Sequence, residues 1–314
     1  MADTAHGPRT GGPPAPQPSG LPQTTRTDWL LLLVPSFIWG TTWYAIKFQL
    51  GVVPPEVSVA YRFFLAALLL LGFGLARGVD LRFPAARHRD FAVQGGLQFC
   101  LNYLFVYLAE EHLTSGLVAL LFGLLMPFNL LGARLLYGTR LTAGVLAGAG
   151  LGLTGVALVV WPDLGGATGG LGAQGLWLAV AGSLAASAGN LWSQRLFRQG
   201  VPVVPCTAWG MLYGSLLTAG YAAAVGRPFR WDPAPGYALS LGYLALLGSV
   251  VAFVTYLTLV KRIGAGRAGY SSVVIPVIAM GTSTVFEGYR WTALALLGMA
   301  LVVAGNVLVL RRRG

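Results

Sequence analysis

Polar side chains recur at helical spacing within apolar segments of the chain. Gln94, Gln98 and Asn102 lie four residues apart, so they share one face of a helix. Because an apolar helix in lipid needs no polar side chains, such a stripe indicates a buried functional surface. Aromatic rings together with amide and hydroxyl groups suit a small ligand that has an apolar part and a polar head. The residues expected to line a cavity of this kind are Trp39, Trp43, Gln98, Asn102, Ser187, Asn190, Ser249, Phe253 and Tyr256.

Helix packing is the alternative explanation of these stripes. Serine, asparagine and glutamine often form hydrogen bonds between membrane helices, and for any single serine this interpretation is favoured. Gln98, Asn102 and Asn190 are better candidates for lining a cavity. Trp39 lies near the middle of its segment, too deep for the interfacial anchoring that tryptophan usually provides, so lining is favoured there as well.

Three charged residues lie in or beside the apolar segments. Lys47 is about one helical turn from one end of its segment, and Arg62 is about two turns from the same side of the next segment. Both charges are shallow enough to reach the interface, so anchoring is the favoured interpretation. Lys47 could instead lie at an entrance and attract a carboxylate, and Glu287 is the second candidate for a role in entry or coupling.

Signatures of catalysis are absent from the sequence. It contains no P-loop, nucleophile elbow, zinc motif or dinucleotide fingerprint in its proper context. Cys100 and Cys206 fall in different apolar segments, so they indicate neither a disulfide framework nor a metal site. We therefore predict no catalytic residue, no metal and no cofactor, and we do not expect an enzyme.

The elements that must position the candidate residues are membrane helices. The chain is 55% hydrophobic and 10% charged, which excludes a soluble globule. Ten apolar segments have close to the ~20 residues that a helix needs to cross a bilayer, where helices satisfy their own backbone hydrogen bonds. The predicted spans of this all-α integral membrane protein are 29–50, 56–77, 90–109, 114–135, 141–160, 174–195, 204–225, 237–260, 266–287 and 291–310.

The net charge of +11 is concentrated in the turns between these segments. If the N-terminus is cytoplasmic, 16 of the 21 lysines and arginines fall on the cytoplasmic side. This asymmetry predicts a multi-pass protein of the bacterial inner membrane with both termini in the cytoplasm. Acidic residues, Glu110 among them, are predicted to lie in external turns. Because the basic residues form no continuous face, a nucleic-acid partner is not expected.

An internal repeat of about 150 residues divides the segments into two sets of five. Residues 139–143 are echoed by 289–293, and Gly148 is echoed by Gly298. Since five is an odd number, the second set must be inverted in the membrane. The predicted organisation is a disordered cytoplasmic tail (1–28), a first five-helix repeat (29–160), an external linker (161–173), a second, inverted repeat (174–310) and a basic cytoplasmic end (311–314).

Pro127 and Pro276 each fall near the middle of an apolar segment. A proline there frees a carbonyl group and bends the helix, so both residues are candidate hinges, and static kinks are an equally good interpretation. The glycines of the fifth and tenth segments are interpreted as packing positions that permit close approach of two backbones. Dimerisation through these glycines is an additional hypothesis.

Several stretches together resemble the EamA family of the drug/metabolite transporter superfamily. They are Trp39-Gly40-Thr41-Thr42 with Lys47, Arg62, the run 112–160 and the run 286–292. The resemblance implies ten helices in an inverted five-plus-five repeat and transport of small metabolites, often export. Similar members include exporters of aromatic and other amino acids. The chain departs from the family where a glutamate usually precedes an Arg-Leu-Thr-like triplet, because Thr139 and Tyr289 stand there.

This resemblance and the candidate cavity predict an exporter or exchanger of amino acids with apolar or aromatic side chains. The predicted partners are the small-molecule substrate and membrane lipid, and the expected state is a monomer or weak homodimer. Alternatives are a carrier of drugs, organic cations or other metabolites, a channel, or an intramembrane enzyme. Because no acid lies in the middle of a segment, and Glu287 and His112 lie near segment ends, facilitated transport or exchange is expected.

Overall fold

A computed structural model of the chain describes residues 25–138, 141–164, 169–268 and 271–311. All regular elements within these ranges are helices, and a short helix at Ala265–Ala268 precedes the ninth of the ten long ones. The long helices are α1 Arg26–Lys47, α2 Pro55–Ala76, α3 Ala85–Glu110, α4 Ser115–Tyr137, α5 Ala143–Leu164, α6 Gly169–Arg198, α7 Val203–Ala224, α8 Pro235–Ile263, α9 Ser271–Phe286 and α10 Ala293–Arg311.

Each predicted span coincides with one of these helices. The linker predicted at 161–173 is mostly helical, because α5 continues to Leu164 and α6 begins at Gly169. Residues 165–168 between them lie outside the described residues, as do 1–24 of the predicted tail and 312–314 of the basic end. The disorder predicted for the tail therefore stays a prediction.

The helices are apolar enough to support an all-α membrane protein. By length and composition α1, α2, α3, α4 and α8 could each cross a membrane, and shorter apolar stretches lie within α5, α9 and α10. The number of crossings and the inversion of the second repeat stay predictions.

Local sequence signals set several helix ends. The Thr25 side chain accepts a hydrogen bond from the N–H of Asp28, whose carboxylate accepts one from the N–H of Thr25, so a capping box begins α1. Pro55 occupies the first turn of α2, where its missing N–H costs nothing. Gly138 ends α4 at a φ of 66°, the left-handed conformation that glycine adopts without strain.

Helices from the two halves of the chain pack against one another. α1 lies against α8 and α9, α2 against α7, α3 against α6, and α5 against α10. The space that α1, α3, α6, α8 and α9 enclose is therefore bounded by both halves. A binding site in that space would change shape whenever the halves moved relative to each other.

Two helices widen locally into π-helical turns, at Gly96–Leu101 in α3 and at Leu244–Val251 in α8. These stretches stand at similar positions in the two halves, nearly one sequence repeat apart. The Oγ of Ser249 donates to the carbonyl of Leu244, five residues earlier, at 2.9 Å. Such turns are frequent at functional sites, and here they carry Gln98 and Ser249.

Glycines bring the backbones of α5 and α10 together. A Cβ added to Gly155 would lie 2.4 Å from the carbonyl oxygen of Gly298, and one added to Gly305 would lie 2.5 Å from that of Gly148. No side chain fits at these distances. The glycine positions therefore serve contacts within the chain, and dimerisation through them stays a hypothesis.

We predict that Gly155→Ala destabilises the protein by about 1–3 kcal/mol, as overpacking typically does. The matched control is Gly150→Ala on the same helix, because a Cβ there meets nothing within 4 Å. Its expected effect is neutral, or stabilising by up to about 1 kcal/mol through helix propensity. Thermal unfolding of both purified variants in detergent measures the difference. Equal unfolding temperatures would contradict the close approach of α5 and α10.

Candidate functional site

A cavity of ≈ 70 Å³ lies between helices of the two halves. Its walls come from α1, α3, α4, α6, α8 and α9. The lining residues are Trp39, Thr42, Trp43, Ile46, Gln98, Asn102, Tyr103, Val106, Ala119, Phe122, Leu125, Ala186, Asn190, Phe253, Tyr256, Ser271, Ile275 and Pro276.

Seven of the nine residues expected to line a cavity contribute to this one. They are Trp39, Trp43, Gln98, Asn102, Asn190, Phe253 and Tyr256. Their binding of a substrate stays a prediction. The remaining two, Ser187 and Ser249, were expected to line the cavity but do not.

Ser187 and Ser249 are buried but do not line the cavity. Ser187 lies on a different groove, between α4 and α6. It shares a helical stripe with Asn190, and the packing of α6 turns only part of that stripe toward the cavity. The Oγ of Ser249 accepts a hydrogen bond from Nε of Arg62 at 3.0 Å, so this serine supports a charged side chain behind the cavity wall.

Aromatic rings form one wall of the cavity. The ring of Trp39 packs edge-on against Phe253 and Tyr256, with centroids 5.0 Å apart in both pairs. Its Nε1 donates to the main-chain carbonyl of Gly248 at 3.0 Å, which ties α1 to α8. Trp43 lies one turn further along α1 and packs against Phe122 at 4.9 Å. This wall suits an apolar or aromatic side chain.

Three cavity-lining residues each have an amide oxygen without a hydrogen-bond partner within the described residues. The Nδ2 of Asn102 donates to the carbonyl of Gln98 at 3.1 Å, and the Nδ2 of Asn190 donates to the hydroxyl of Tyr256 at 3.2 Å. Among the described residues, no donor satisfies Oδ1 of either asparagine or Oε1 of Gln98. All three side chains are at least 97% buried, being 3%, 3% and 1% exposed for Gln98, Asn102 and Asn190. These acceptors could receive hydrogen bonds from a ligand, since unpaired buried polar groups are costly.

The sequence predicted that the Arg62 side chain reaches the membrane interface. The structure instead buries this side chain completely, at 0% exposure. The guanidinium carbon lies 4.6 Å from the ring centroid of Tyr103, which lines the cavity. Nη1 donates to the hydroxyl of Tyr107 at 3.4 Å, and Nη2 has no partner within the described parts of the chain. The shallow depth predicted for Arg62 stays a prediction, but α3 and α8 cover its side chain.

Lys47 and Glu287 lie together at one end of the bundle, outside the cavity. The Nζ of Lys47 donates to the main-chain carbonyls of Glu110 and Leu113 at 2.6 and 2.8 Å. It also lies 3.9 Å from Oε1 of Glu287. The carboxylate of Glu287 accepts hydrogen bonds from the N–H and the hydroxyl of Ser115. Their roles in entry or coupling stay predictions.

The two candidate hinge prolines occupy different environments. Pro276 lines the cavity from within α9. Pro127 lies away from the cavity, where α4 meets α5 and α10, and a tight 3₁₀ turn at Phe122–Leu124 precedes it. Both prolines lie within continuous helices, and hinge motion stays a prediction.

Sequence reasoning missed several lining residues, among them Thr42, Ile46 and Tyr103. A signal for two of them was present. Trp39, Thr42, Trp43 and Ile46 follow the i, i+3, i+4, i+7 spacing of one helical face. Tyr103 carried no such signal, because the π-helical turn before it shifts the register of the α3 face.

Comparisons with known proteins agree with this architecture. A model of the EamA-like transporter family matches residues 28–161 and 173–311. The uncharacterized inner membrane transporter YedA of Escherichia coli strain K12 is 28% identical over 280 residues, 87% of each chain. A probable amino-acid metabolite efflux pump of the same strain is 25% identical over 306 residues, covering 92% of this chain and 97% of the relative. One crystal structure is similar with a TM-score of 0.69 at 25% identity, over 91% of this chain and 98% of the other.

We predict that Trp39→Phe lowers the unfolding temperature by several degrees. The variant keeps an aromatic ring but leaves the carbonyl of Gly248 without its side-chain donor, and such a loss costs about 1–3 kcal/mol. Trp177→Phe is the control, because Trp177 is 69% exposed. Thermal unfolding in detergent compares the two variants, and an equal response would show that the bond between α1 and α8 is not structural.

Proposed function

The chain belongs to the EamA-like transporter family, and on that basis we propose that it exports or exchanges amino acids with apolar or aromatic side chains. It is a multi-pass protein of the inner membrane. In the proposed mechanism the cavity opens alternately to the two sides of the membrane, with both termini in the cytoplasm. The proposed state is a monomer or weak homodimer.

The observation that carries the substrate proposal is a set of buried polar atoms without partners, which belong to residues that line the cavity or lie directly behind its wall. An α-amino acid has a carboxylate, an ammonium group and a side chain. Nη2 of Arg62 is a buried cationic donor without a partner among the described residues, and it suits a carboxylate. The amide oxygens of Asn102 and Asn190 suit an ammonium group. The rings of Trp39 and Phe253 suit an apolar or aromatic side chain.

Selectivity would follow from the cost of leaving these groups unpaired. A site built to make polar contacts rejects a ligand that lacks them, because its own buried groups then stay unsatisfied. Arg62 should therefore discriminate against amines and organic cations. In the described part of the chain no acidic residue lines the cavity, which also weighs against a carrier of cations.

The cavity is too small for an amino acid to enter without movement of the helices. A volume of ≈ 70 Å³ holds only a few water molecules, since each needs about 10–15 Å³ on this measure. Because both halves of the chain supply lining residues, relative movement of the halves would enlarge the cavity. Alternating access at an interface between repeats works in this way.

A relative supports the same substrate class. The Escherichia coli protein described as a probable amino-acid metabolite efflux pump is similar over nearly the whole length of both chains. At 25% identity its substrate is not carried over directly, and the chemistry of the cavity remains the main argument.

We predict that tracer exchange in proteoliposomes is stimulated by aromatic and aliphatic amino acids on the opposite side of the membrane, without a pH gradient. Such trans-stimulation is expected of a carrier and not of a channel. The panel includes quaternary amines and sugars as controls. Stimulation by amines alone would replace the amino-acid proposal with a cation carrier of the same fold.

A second prediction concerns Arg62 and compares an aromatic amino acid with its decarboxylated amine. Arg62→Met should reduce exchange of the amino acid about tenfold or more, as expected for loss of a charged hydrogen bond of about 1.5–3 kcal/mol. Inhibition of exchange by the amine should stay equal or improve, because the variant loses the group that distinguishes the two ligands.

Ser187→Ala is the control, since Ser187 is buried in the same bundle but lies outside the cavity. Arg62→Lys should restore part of the preference through its charge. The thermal stability of Arg62→Met should not fall greatly, because removing a buried charge also removes its desolvation cost. If Arg62→Met lost the amino acid and the amine in equal measure, Arg62 would not be the carboxylate partner.

A further inference from the structure

Glu110, the last residue of α3, is 1% exposed, although the sequence placed it in an external turn. Neither oxygen of its carboxyl group has a hydrogen-bond or ion-pair partner within the described residues. An ionised carboxylate buried in this way is costly, and the neutral acid is favoured. Packing explains the burial of the helix end but not the choice of an acidic side chain there.

Charged groups face Glu110 from three other helices. They are Lys47 of α1, Arg62 of α2 and Glu287 at the end of α9. Neither cation, Lys47 or Arg62, lies within 4 Å of its carboxyl oxygens in the described structure. Within α3 itself, Tyr107 precedes Glu110 by one turn, and beyond the helix end the titratable His112 follows Glu110 by two residues.

Two of these neighbours take part in a contact between the two halves of the chain. We call this contact the outer gate and define it as Lys47, Ser115 and Glu287. Lys47 lies beside Glu287 at 3.9 Å, and the N–H of Ser115 donates to Glu287 at 3.3 Å. The start of α4 also packs tightly against α9, because a Cβ on Gly116 would lie 2.8 Å from the side chains of Met280 and Ser283. The gate therefore joins α1 and α4 of the first half to α9 of the second.

Glu110 stands between this gate and the cavity. Val106 lies one helical turn before Glu110 on α3 and lines the cavity. The ammonium group of Lys47 is bonded to the main-chain carbonyl of Glu110 at 2.6 Å. A negative charge on Glu110 would therefore act directly on the cation that holds the gate.

Building on the proposed alternating-access mechanism, we propose that Glu110 is a proton-binding site whose protonation controls the outer gate. While Glu110 is neutral, Lys47 stays with Glu287 and the gate is closed. When the carboxyl group gives its proton to water, the carboxylate competes with Glu287 for Lys47 and the gate opens. Water returns the proton when the gate closes again.

Cysteine accessibility tests this proposal without knowledge of the substrate. Thr42→Cys places a reporter in the cavity, in a background in which the buried Cys100 and Cys206 are replaced by alanine. A membrane-impermeant methanethiosulfonate is added at the Lys47 side of the full-length protein in vesicles. Because only the thiolate reacts, each rate is divided by the rate of an exposed Val52→Cys reporter on the same side, and all labelling rates below are such ratios. We expect this relative labelling rate to rise about tenfold from mildly acidic to mildly alkaline pH, a shift of about 1.4 kcal/mol in the gate equilibrium.

Four variants separate Glu110 from its neighbours. Glu110→Gln should label slowly at every pH, and Glu110→Asp should keep the pH response. Glu287→Gln should label fast at every pH, because Lys47 then loses its partner across the gate. Glu111→Gln is the matched control, since Glu111 is the adjacent and exposed acid. A pH response that survives in Glu110→Gln, or that His112→Gln abolishes, would overturn the proposal.

Infrared difference spectroscopy of the purified protein gives a second measurement. The carbonyl stretch of a protonated carboxylic acid should be present in the wild type and in Glu111→Gln, disappear at alkaline pH, and be absent in Glu110→Gln. A missing band in the wild type would overturn proton binding even if labelling depends on pH. Because neither measurement needs a substrate, failure of amino-acid exchange would refute the proposed function and leave the proton site standing.

Discussion

A positive charge buried among aromatic rings is the interaction on which the candidate site depends. The guanidinium group of Arg62 is enclosed by Tyr103, Tyr107 and Ser249, which come from two other helices. Within the described residues no carboxylate approaches it within 4 Å. The cost of such a group is reduced by hydrogen bonds and ring contacts but is not removed. A negatively charged ligand group would complete the arrangement, and this is the physical basis of the amino-acid proposal.

The position of Arg62 also explains why the two halves of the chain must meet at the cavity. Its ring contacts come from α3 in the first half, and its serine partner comes from α8 in the second. Trp39 makes a parallel connection from α1 to the carbonyl of Gly248 on α8. Movement of one half relative to the other would change both contacts. The contacts of the side chains that surround a substrate would thus differ between the two states of the carrier, which are open to opposite sides of the membrane.

Glu110 and Arg62 would carry opposite charges if both were ionised, and the fold keeps their side chains apart. Tyr107, one turn from Glu110 on α3, accepts a hydrogen bond from Arg62, and Lys47 is held by the backbone of Glu110. Arg62 and Lys47 are therefore each hydrogen-bonded to a neutral group close to Glu110, and neither contacts the carboxyl group of Glu110. Arrangements of this kind can respond to a single proton or ligand, because several alternative pairings have similar free energy.

The sequence by itself determined the helices and part of the cavity. Hydropathy and periodicity are local properties, so they located the ten long helices of the described residues. Of the nine residues that the spacing of polar and aromatic side chains predicted, seven line the cavity. Helix ends set by proline, glycine and capping residues were local as well. The recognisable motifs were sufficient to indicate the family.

Tertiary structure decided which part of each stripe faces the cavity and which charges are buried. Ser187 and Asn190 belong to one stripe on α6, yet only Asn190 lines the cavity. Arg62 lies about two turns into α2 and Glu110 ends α3. The sequence predicted that both side chains reach the membrane surface, but neighbouring helices cover them. Burial depends on atoms that are distant in sequence, and the π-helical turn in α3 shifts the faces beyond it. The position of a residue along a helix therefore does not determine its surroundings, which arise only when the two halves pack together.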